Sequence, residues 1–328
     1  MEKFFSCDWG TTAFRLRLVE VAGLKIIAEE SNQQGIAETY QRWKQSGRRN
    51  EELRLTFYLD IIEKHIKAIE QKLNTFFKDV PVIISGMASS TIGMIELPYK
   101  QLPFSTDGSD LKVHIIEATH SFQHKVVIIS GVRTDEDAMR GEETKLIGCA
   151  SAVSYQEDTV YIFPGTHSKH VEVKNGKAVA FKTYMTGEFF ELLSKKSILS
   201  VSLEHGEGLQ QPDNKLSFQK GVGDSVNSNL LHNCFLVRTN DLFSKFTKQE
   251  NYYYLSGLLI GTELNDLMHK GVKNFIVVSD ATLTPYYTAA LGTLSSPGKN
   301  ILIKTYSADD AIIMGQYKIY TKHKISLW

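Results

Sequence analysis

The chain contains the same short turn twice, once in each half, and each copy lies between two strand-like segments. The first copy is centred on Gly10 and Thr11, after an apolar segment and before an alternating one that begins at Phe14. The second copy is centred on Gly165 and Thr166. Strand patterns on both sides of a glycine bend predict a β-hairpin. A hairpin that opens each half predicts two domains built on one plan.

Hydrophobic periodicity extends this plan along the chain. The predicted strands are Phe4–Asp8, Phe14–Val21, Leu24–Glu30, Val80–Ser85, Val113–Ala118, Val126–Ser130, Val160–Phe163, Lys169–Val173, Ala178–Tyr184, Asn274–Ser279 and Asn300–Thr305. The predicted helices are Glu51–Lys78, one ending at Cys149, one starting at Thr186, then Tyr252–His269, Leu283–Leu291 and Ala308–Tyr320. Gln41–Asn50 predicts a solvated loop, and residues 200–230 give no clear pattern.

The order strand-strand-strand-helix-strand-helix therefore occurs roughly twice, which indicates an α/β protein. We expect a first domain over residues 1–150, a second over 151–307, and a C-terminal helix over 308–328 that closes the fold. With 328 residues, the chain is longer than one hydrophobic core usually supports. Because no low-complexity linker separates the halves, we expect a hinged pair that shares a cleft.

Charge and cysteine content exclude several classes of function. The 37 basic and 37 acidic residues balance, so nothing favours nucleic acid or a membrane surface as a partner. Three cysteines without a CxxC pair predict free thiols in a reducing compartment. No apolar run approaches the ~20 residues that span a bilayer, and the N-terminus has no signal-peptide pattern. We expect a cytoplasmic protein.

The groups in the first turn suit phosphate and magnesium. Gly10 lets backbone N–H groups approach an anion, while the hydroxyls of Thr11 and Thr12 can donate to phosphate oxygens. Asp8, at the end of the strand, is a carboxylate of the kind that holds hydrated Mg²⁺. In the second turn, Gly165, Thr166 and Ser168 offer similar donors. An ordinary hairpin turn is the alternative for either copy alone, and the pairing favours phosphate.

An acidic segment lies between the two turns, at the start of a predicted helix. Glu142 and Glu143 follow Gly141 there. A carboxylate near a phosphate site can accept the proton of an attacking hydroxyl. Stabilisation of the helix dipole by first-turn acids is the alternative explanation.

These motifs, taken together and in order, resemble the sugar kinases of the actin, hexokinase and heat-shock ATPase superfamily. The similarity is closest to the 2-dehydro-3-deoxygalactonokinase family. The blocks that carry it are DWGTTAFR (8–15), ISGMASSTIG (84–93), MRGEETKLIG (139–148), FPGTHSKHVEV (163–173), YMTGEFFELL (184–193) and YLSGLLIGTEL (254–264). The resemblance implies two actin-like (ribonuclease H-like) α/β domains around a nucleotide cleft. It also implies ATP- and Mg²⁺-dependent phosphorylation of the C6 hydroxyl of 2-dehydro-3-deoxy-galactonate, in galactonate catabolism.

The resemblance assigns roles to the residues of the two turns and of the acidic segment. Asp8 would organise Mg²⁺, and Glu142 would be the general base, with Glu143 and Asp137 as rivals. The phosphate- and ATP-binding positions would be Gly10, Thr11, Thr12, Gly165, Thr166, Ser168, Asp280 and Ala281.

On the substrate side, Arg140 could pair with the carboxylate of the sugar acid in a bidentate manner. Arg15 and the hydroxyls of Ser85, Ser89 and Ser90 are further expected contacts, although these serines could equally cap a turn.

Two positions depart from the family pattern. Ala13 stands where a polar residue is expected, and Asp280 stands where the adenosine-binding turn normally has glycine. The alternatives are therefore a kinase for another small sugar or sugar acid, or a catalytically degenerate nucleotide- or sugar-binding paralogue. The expected partners are a small sugar acid and, if the protein is a homodimer, a second copy of the chain.

Overall fold

The structure is a computed structural model that describes residues 2–47, 50–150, 158–268, 271–295 and 301–325. Within these residues the chain forms two compact units. Of the described residues, unit 1 holds those within 2–150, 176–180 and 308–325, and unit 2 holds those within 158–175 and 181–307.

Short strands alternate with helices along the chain. The strands are β1 Lys3–Trp9, β2 Phe14–Glu20, β3 Lys25–Asn32, β4 Val82–Gly86, β5 Lys100–Gln101, β6 Phe104–Ser105, β7 Val113–Ile116, β8 Val126–Ile129, β9 Val132–Arg133, β10 Ala138–Met139, β11 Thr159–Phe163, β12 Ser168–Lys174, β13 Lys177–Tyr184, β14 Asn274–Ser279 and β15 Leu302–Ser307. The helices are α1 Ile36–Gln45, α2 Glu51–Leu73, α3 Glu142–Ala150, α4 Thr186–Lys196, α5 Pro212–Asp224, α6 Leu230–Leu242, α7 Lys248–Met268, α8 Thr284–Leu294 and α9 Ala308–Ile325. Of the helices in the described ranges, none is both long and apolar enough to cross a bilayer.

The main sheet of unit 1 has the strand order β3-β2-β1-β4-β8-β7. Strand β1 pairs antiparallel with β2 and parallel with β4, and β4 pairs parallel with β8. In β1, Phe5, Cys7 and Trp9 point into the hydrophobic core, while Asp8 lies on the opposite face because successive side chains alternate. Long helix α2 contributes Tyr58 and other apolar residues to the same core.

The sheet of unit 2 repeats this arrangement with the order β15-β14-β11-β12, continued by β13. Strand β11 pairs antiparallel with β12 and parallel with β14, which pairs parallel with β15. The first strand of each unit therefore has a hairpin partner on one side and parallel strands on the other. The hairpins at Gly10 and Gly165 are confirmed as the connections β1–β2 and β11–β12.

Helices α3 and α9 of unit 1 pack together through glycines. A Cβ atom on Gly315 would lie 1.9 Å from the carbonyl oxygen of Thr144, and one on Gly148 would lie 1.8 Å from that of Ala311. Such approaches are possible only without a side chain, so the two backbones touch directly. This contact fixes C-terminal helix α9 within unit 1.

Three helices were not predicted from the sequence. The prediction of a loop over Gln41–Asn50 is wrong for its first residues, because α1 runs to Gln45 and buries Ile36, Thr39 and Trp43 at helical spacing. This spacing was a readable signal.

Helices α5 and α6 were missed for a different reason. The face of α5 that packs on α7 is built partly from small residues, since a Cβ atom on Gly221 would lie 2.2 Å from the carbonyl oxygen of Tyr254. Such a face carries little hydrophobic signal. Helix α6 was missed although it begins at a cap, in which the side chain of Asn229 accepts a hydrogen bond from the N–H of Leu231.

The predicted end of α2 at Lys78 is five residues too late. The helix ends at Leu73, and Asn74 follows with a left-handed φ of 47°. A left-handed asparagine is a common way to stop a helix.

We predict that Gly315→Ala lowers the melting temperature, because the added methyl group would force α9 away from α3 at a cost of about 1–3 kcal/mol. The matched control is Gly223→Ala in α5, where a Cβ atom would meet nothing within 4 Å. The control should leave stability unchanged or raise it by up to about 1 kcal/mol. Thermal unfolding of both variants and the wild type checks this. A melting temperature of Gly315→Ala equal to that of the wild type would contradict the close helix contact.

Candidate functional site

The predicted site residues of unit 1 gather at one edge of its sheet. In the parallel pair β1–β4, Asp8 lies opposite Ser85 and Trp9 opposite Gly86. The carboxyl ends of parallel strands meet at one edge, which is where ligands bind in α/β proteins. Gly86 has a φ of 92°, and a Cβ atom there would lie 2.7 Å from the carbonyl oxygen of Trp9 and 3.6 Å from Oδ1 of Asp8. The β4 loop therefore passes directly beside the half-buried Asp8.

The Gly-Thr turn of unit 1 is supported by the start of α1. The N–H of Gly10 donates to the carbonyl of Ala13 over 2.9 Å and closes the turn. The N–H groups of Ile36 and Ala37 donate to the carbonyls of Gly10 and Thr11 over 2.9 and 3.1 Å. Thr11 itself is exposed. The carbonyls of Gly10 and Thr11 thus accept N–H groups of the helix. The side chain of Thr11 lies on the outside of the turn.

The Gly-Thr turn of unit 2 is built in the same way on the start of α4. The N–H of Glu188 donates to the carbonyl of Thr166 over 3.1 Å. A Cβ atom on Gly187 would lie 2.6 Å from the carbonyl oxygen of Gly165, so the helix backbone touches the turn. Thr166 is exposed, as Thr11 is. The sequence position equivalent to Asp8 is occupied by buried Phe163, so this turn lacks the carboxylate.

The loop after β4 is held in place by Arg140. Its Nη1 donates to the carbonyl oxygen of Ser89 over 2.5 Å and to the Oγ of the same residue over 2.7 Å. The guanidinium carbon lies 3.9 Å from the centre of the Tyr99 ring, and Nη2 makes a long bond of 3.4 Å to the carbonyl of Leu97. The Oγ of Ser90 donates to the carbonyl of Met87 over 2.7 Å. Arg140 and Ser89 are thus brought together, and Ser90 caps a turn.

Gln316 of α9 is a site residue that sequence reasoning missed. Its Nε2 donates to the carbonyl of Cys7 over 2.9 Å and to the Oγ of Ser85 over 2.8 Å. It is fully buried, and it joins β1 and β4 next to Asp8. A polar residue within an amphipathic C-terminal helix gives no local signal of this contact.

A buried arginine with two ion-pair partners, on the same face of the sheet as Asp8, was also missed. Arg17 is fully buried, with Nη2 2.7 Å from Oδ1 of Asp309 and Nε 2.6 Å from Oε2 of Glu29. Exposed Arg15 lies opposite Asp8 in the β-ladder, and its Nη1 is 3.6 Å from Oδ1 of Asp309.

The two neighbouring acids at the start of α3 have different environments. Glu142 is half-buried, whereas Glu143 is 1% exposed and both of its carboxylate oxygens accept the N–H of Gly141 over 2.8 Å. Burial, and secondarily the charge of Glu142, raise the pKa of Glu143 to about 7, against the opposing effect of the Gly141 N–H. A pKa near neutrality suits a proton acceptor. The partial exposure of Glu142 suits contact with a substrate.

The turn after β14 does not need the expected glycine. Asp280 and Ala281 are absent from the described residues with positive φ. Instead, Oδ1 of Asp280 accepts the N–H groups of Thr282 and Leu283 over 2.9 and 3.0 Å, and its carbonyl accepts the N–H of Thr284 over 3.2 Å. The aspartate therefore closes the turn that leads into α8. Strand β14 runs parallel to β11, so this turn and the Gly-Thr turn of unit 2 share one sheet edge.

Metal ligands are sparse in the part of the chain that the structure describes. There, no group of three or more His, Cys, Asp and Glu side chains is arranged to hold a metal ion. Magnesium requires no such cage, since it commonly binds through one or two carboxylates with water and substrate phosphates. A single carboxylate such as Asp8 fits this mode.

Comparison with known proteins gives one consistent family. The sequence pattern of the 2-keto-3-deoxy-galactonokinase family matches residues 8–319. A relative from Rhizobium meliloti (strain 1021), named a probable 2-dehydro-3-deoxygalactonokinase, is 27% identical over 323 residues, covering 95% of this chain and 94% of its own. The 2-dehydro-3-deoxygalactonokinase of Escherichia coli (strain K12) is 33% identical over 192 residues, covering 56% and 60% of the two chains.

Solved structures agree on the fold. A Sinorhizobium meliloti crystal structure described as a 2-dehydro-3-deoxygalactonokinase protein superimposes with a TM-score of 0.79 at 23% identity, covering 97% of this chain and 95% of its own. The activator of the 2-hydroxyisocaproyl-CoA dehydratase from Clostridium difficile, with bound ADPNP, has a TM-score of 0.50 at 12% identity, covering 99% and 97%. The predicted actin-like α/β fold class is confirmed.

We predict that Glu143 makes stability fall as the pH rises. Its folded-state pKa of about 7 exceeds the ordinary 4.5, so the folded protein holds this proton more tightly than the unfolded chain. The stabilisation, about 3 kcal/mol at most, is complete below pH 4.5 and is lost as the pH rises through 7. Melting temperatures from pH 5 to 8.5 should therefore fall less steeply for Glu143→Gln than for the wild type. Glu136→Gln, which changes an exposed acid, is the control, and parallel curves for Glu143→Gln and the wild type would contradict the raised pKa.

Proposed function

This chain belongs to the 2-keto-3-deoxy-galactonokinase family, and on that premise we propose that it transfers a phosphoryl group from ATP to the C6 hydroxyl of 2-dehydro-3-deoxy-D-galactonate. The observation that carries the proposal is the family match over residues 8–319, which includes both Gly-Thr turns and the acidic segment. The protein is a sugar-acid kinase, and nucleotide use follows from its family. The site roles, Mg²⁺ and the cytoplasmic location are our proposals.

The reaction needs one proton acceptor and several donors to phosphate. As the C6 oxygen attacks the γ-phosphorus, a new P–O bond forms, the bond to the β-phosphate oxygen breaks, and ADP leaves. Glu142 accepts the C6 proton, because its carboxylate is partly exposed beside the glycine that precedes α3. Buried Glu143 holds the N–H of that glycine and thereby fixes the position of Glu142.

The phosphates bind to the exposed turns. Thr11 and Thr12 in unit 1, and Gly165 and Thr166 in unit 2, present donors whose neighbouring carbonyls are already engaged by α1 and α4. Asp8 holds Mg²⁺, which neutralises phosphate charge when bound.

The sugar acid binds along the loop after β4. Arg140 orients the substrate carboxylate through Nη2, whose bond to the protein is long, while Nη1 braces Ser89. Ser85 and Ser90 shape the loop through their own hydrogen bonds. Exposed Arg15 supplies a second cation at the same edge.

Phosphorylation of a panel of acceptors with ATP tests the proposal. We expect the galacto-configured acid to be phosphorylated with one ADP formed per product. Product from only the gluco epimer or another sugar would favour a kinase with a different acceptor. Nucleotide binding without turnover would favour a degenerate paralogue. Light scattering would test whether two copies of the chain form a homodimer.

We predict that Glu142→Gln lowers kcat by about 10²–10⁴-fold with little change in the KM for ATP, because it removes a proton acceptor and leaves the phosphate turns intact. The matched control is Glu136→Gln, an exposed acid a few residues earlier that should retain wild-type kcat. Near-full activity of Glu142→Gln, with loss in Glu143→Gln or Asp137→Asn, would assign the base to one of the rivals.

We predict that Asp8→Asn loses most turnover, because an amide is a much weaker ligand for Mg²⁺ than a carboxylate. Raising the Mg²⁺ concentration should recover part of the activity, and steady-state rates across a magnesium titration check this. A variant with a wild-type rate and an unchanged magnesium dependence would remove Asp8 from the metal site.

A further inference from the structure

A chain of four buried polar side chains runs beneath the Gly-Thr turn of unit 2. The Oγ of Ser168 lies 2.9 Å from the hydroxyl of Tyr287, which donates to Oε2 of Glu263 over 2.8 Å. Nε2 of His170 lies 2.7 Å from Oε1 of the same carboxylate. All four residues are at most 3% exposed. The chain joins strand β12 to helices α7 and α8.

The direction of the first hydrogen bond follows from the second. Tyr287 has a single hydroxyl proton, and it donates this proton to Oε2 of Glu263. The oxygen of Tyr287 must then accept the proton of Ser168. The hydroxyl of Ser168 is therefore turned inward, and in this state it cannot donate to a phosphate oxygen.

Two neighbouring members of this chain, Ser168 and Tyr287, belong to the two segments proposed to bind the nucleotide. Ser168 follows the turn that contains Gly165 and Thr166, and Tyr287 lies in the first turn of α8, shortly after the turn that Asp280 closes. Glu263 thus anchors both segments to α7 from behind. Movement of one segment relative to the other would break a buried hydrogen bond, which is costly.

We propose that Tyr287, backed by Glu263, is a positioning residue that fixes the phosphate-binding turn of unit 2 in register with the start of α8 and thereby sets the affinity for ATP. Ser168 acts in this chain as the anchor of the turn, not as a direct phosphate ligand. The proposal rests on the proposed kinase function, because it takes these two segments as the nucleotide-binding part of the chain.

Tyr287→Phe is the primary test, because it removes one oxygen and keeps the ring. We expect the KM for ATP and the Kd for ADP, measured by calorimetry, to rise about tenfold, the usual effect of one lost buried hydrogen bond. The KM for the sugar acid should stay within twofold. The control is Tyr286→Phe, the adjacent residue of α8, whose hydroxyl interacts with Tyr253 outside this chain. It should bind both nucleotides as the wild type does.

Ser168→Ala and the double variant Ser168→Ala/Tyr287→Phe separate a chain from two independent contacts. If the hydroxyls act together, the double variant should bind ADP about as weakly as either single variant. Independent contacts would multiply to about a hundredfold loss, which would overturn the proposal and restore Ser168 as a direct ligand. If Tyr287→Phe does not fold, Ser168→Ala alone still tests the proposal, because a wild-type affinity for ADP in that variant would contradict it.

The outcomes also distinguish this proposal from the proposed function. A wild-type chain that neither binds ADP nor uses ATP would refute the kinase function. A wild-type chain that binds ADP, with Tyr287→Phe binding equally well, would refute only the positioning role. Equal losses for ATP and the sugar acid in Tyr287→Phe would indicate general structural damage and would likewise overturn it.

Discussion

In each unit the first strand pairs antiparallel with the second and parallel with a later one, and the candidate sites depend on this pairing. The hairpin places a Gly-Thr turn at the end of β1 and of β11, while the parallel partner brings a distant loop to the same edge. Asp8 and Ser85 become neighbours in this way, as do the turn at Gly165 and Asp280. The pairing of the strands therefore brings the parts of each edge together.

Buried polar side chains stabilise these edges from behind. Gln316 joins β1 to β4 in unit 1, and Tyr287 joins β12 to Glu263 in unit 2. A buried hydrogen-bonding group is costly to leave unpaired, so these contacts restrict how the edges can move. The buried hydroxyls of Ser168 and Tyr287 hold neighbouring elements together, whereas Thr11 and Thr166 are exposed.

Much of the fold was predictable from the sequence, because apolar residues recur along the chain at one spacing in strands and at another in helices. The hairpins at Gly10 and Gly165 have such local signals. Helix α5 does not, since glycine and serine form part of its buried face. Contacts between residues distant in sequence, such as Gln316 with Cys7, leave no local trace. The family resemblance gave the candidate ligand-binding residues. The structure gave the buried side chains, such as Gln316, that pack next to them.

Identification of the reaction product tests the central claim most directly. The purified chain would be incubated with ATP, Mg²⁺ and 2-dehydro-3-deoxy-D-galactonate labelled with ¹³C at C6, and phosphorus–carbon coupling would be measured by NMR. The account predicts one phosphomonoester, coupled to C6, in equal amount to the ADP formed. ADP formed with inorganic phosphate alone, or a phosphoryl group on another position, would contradict it.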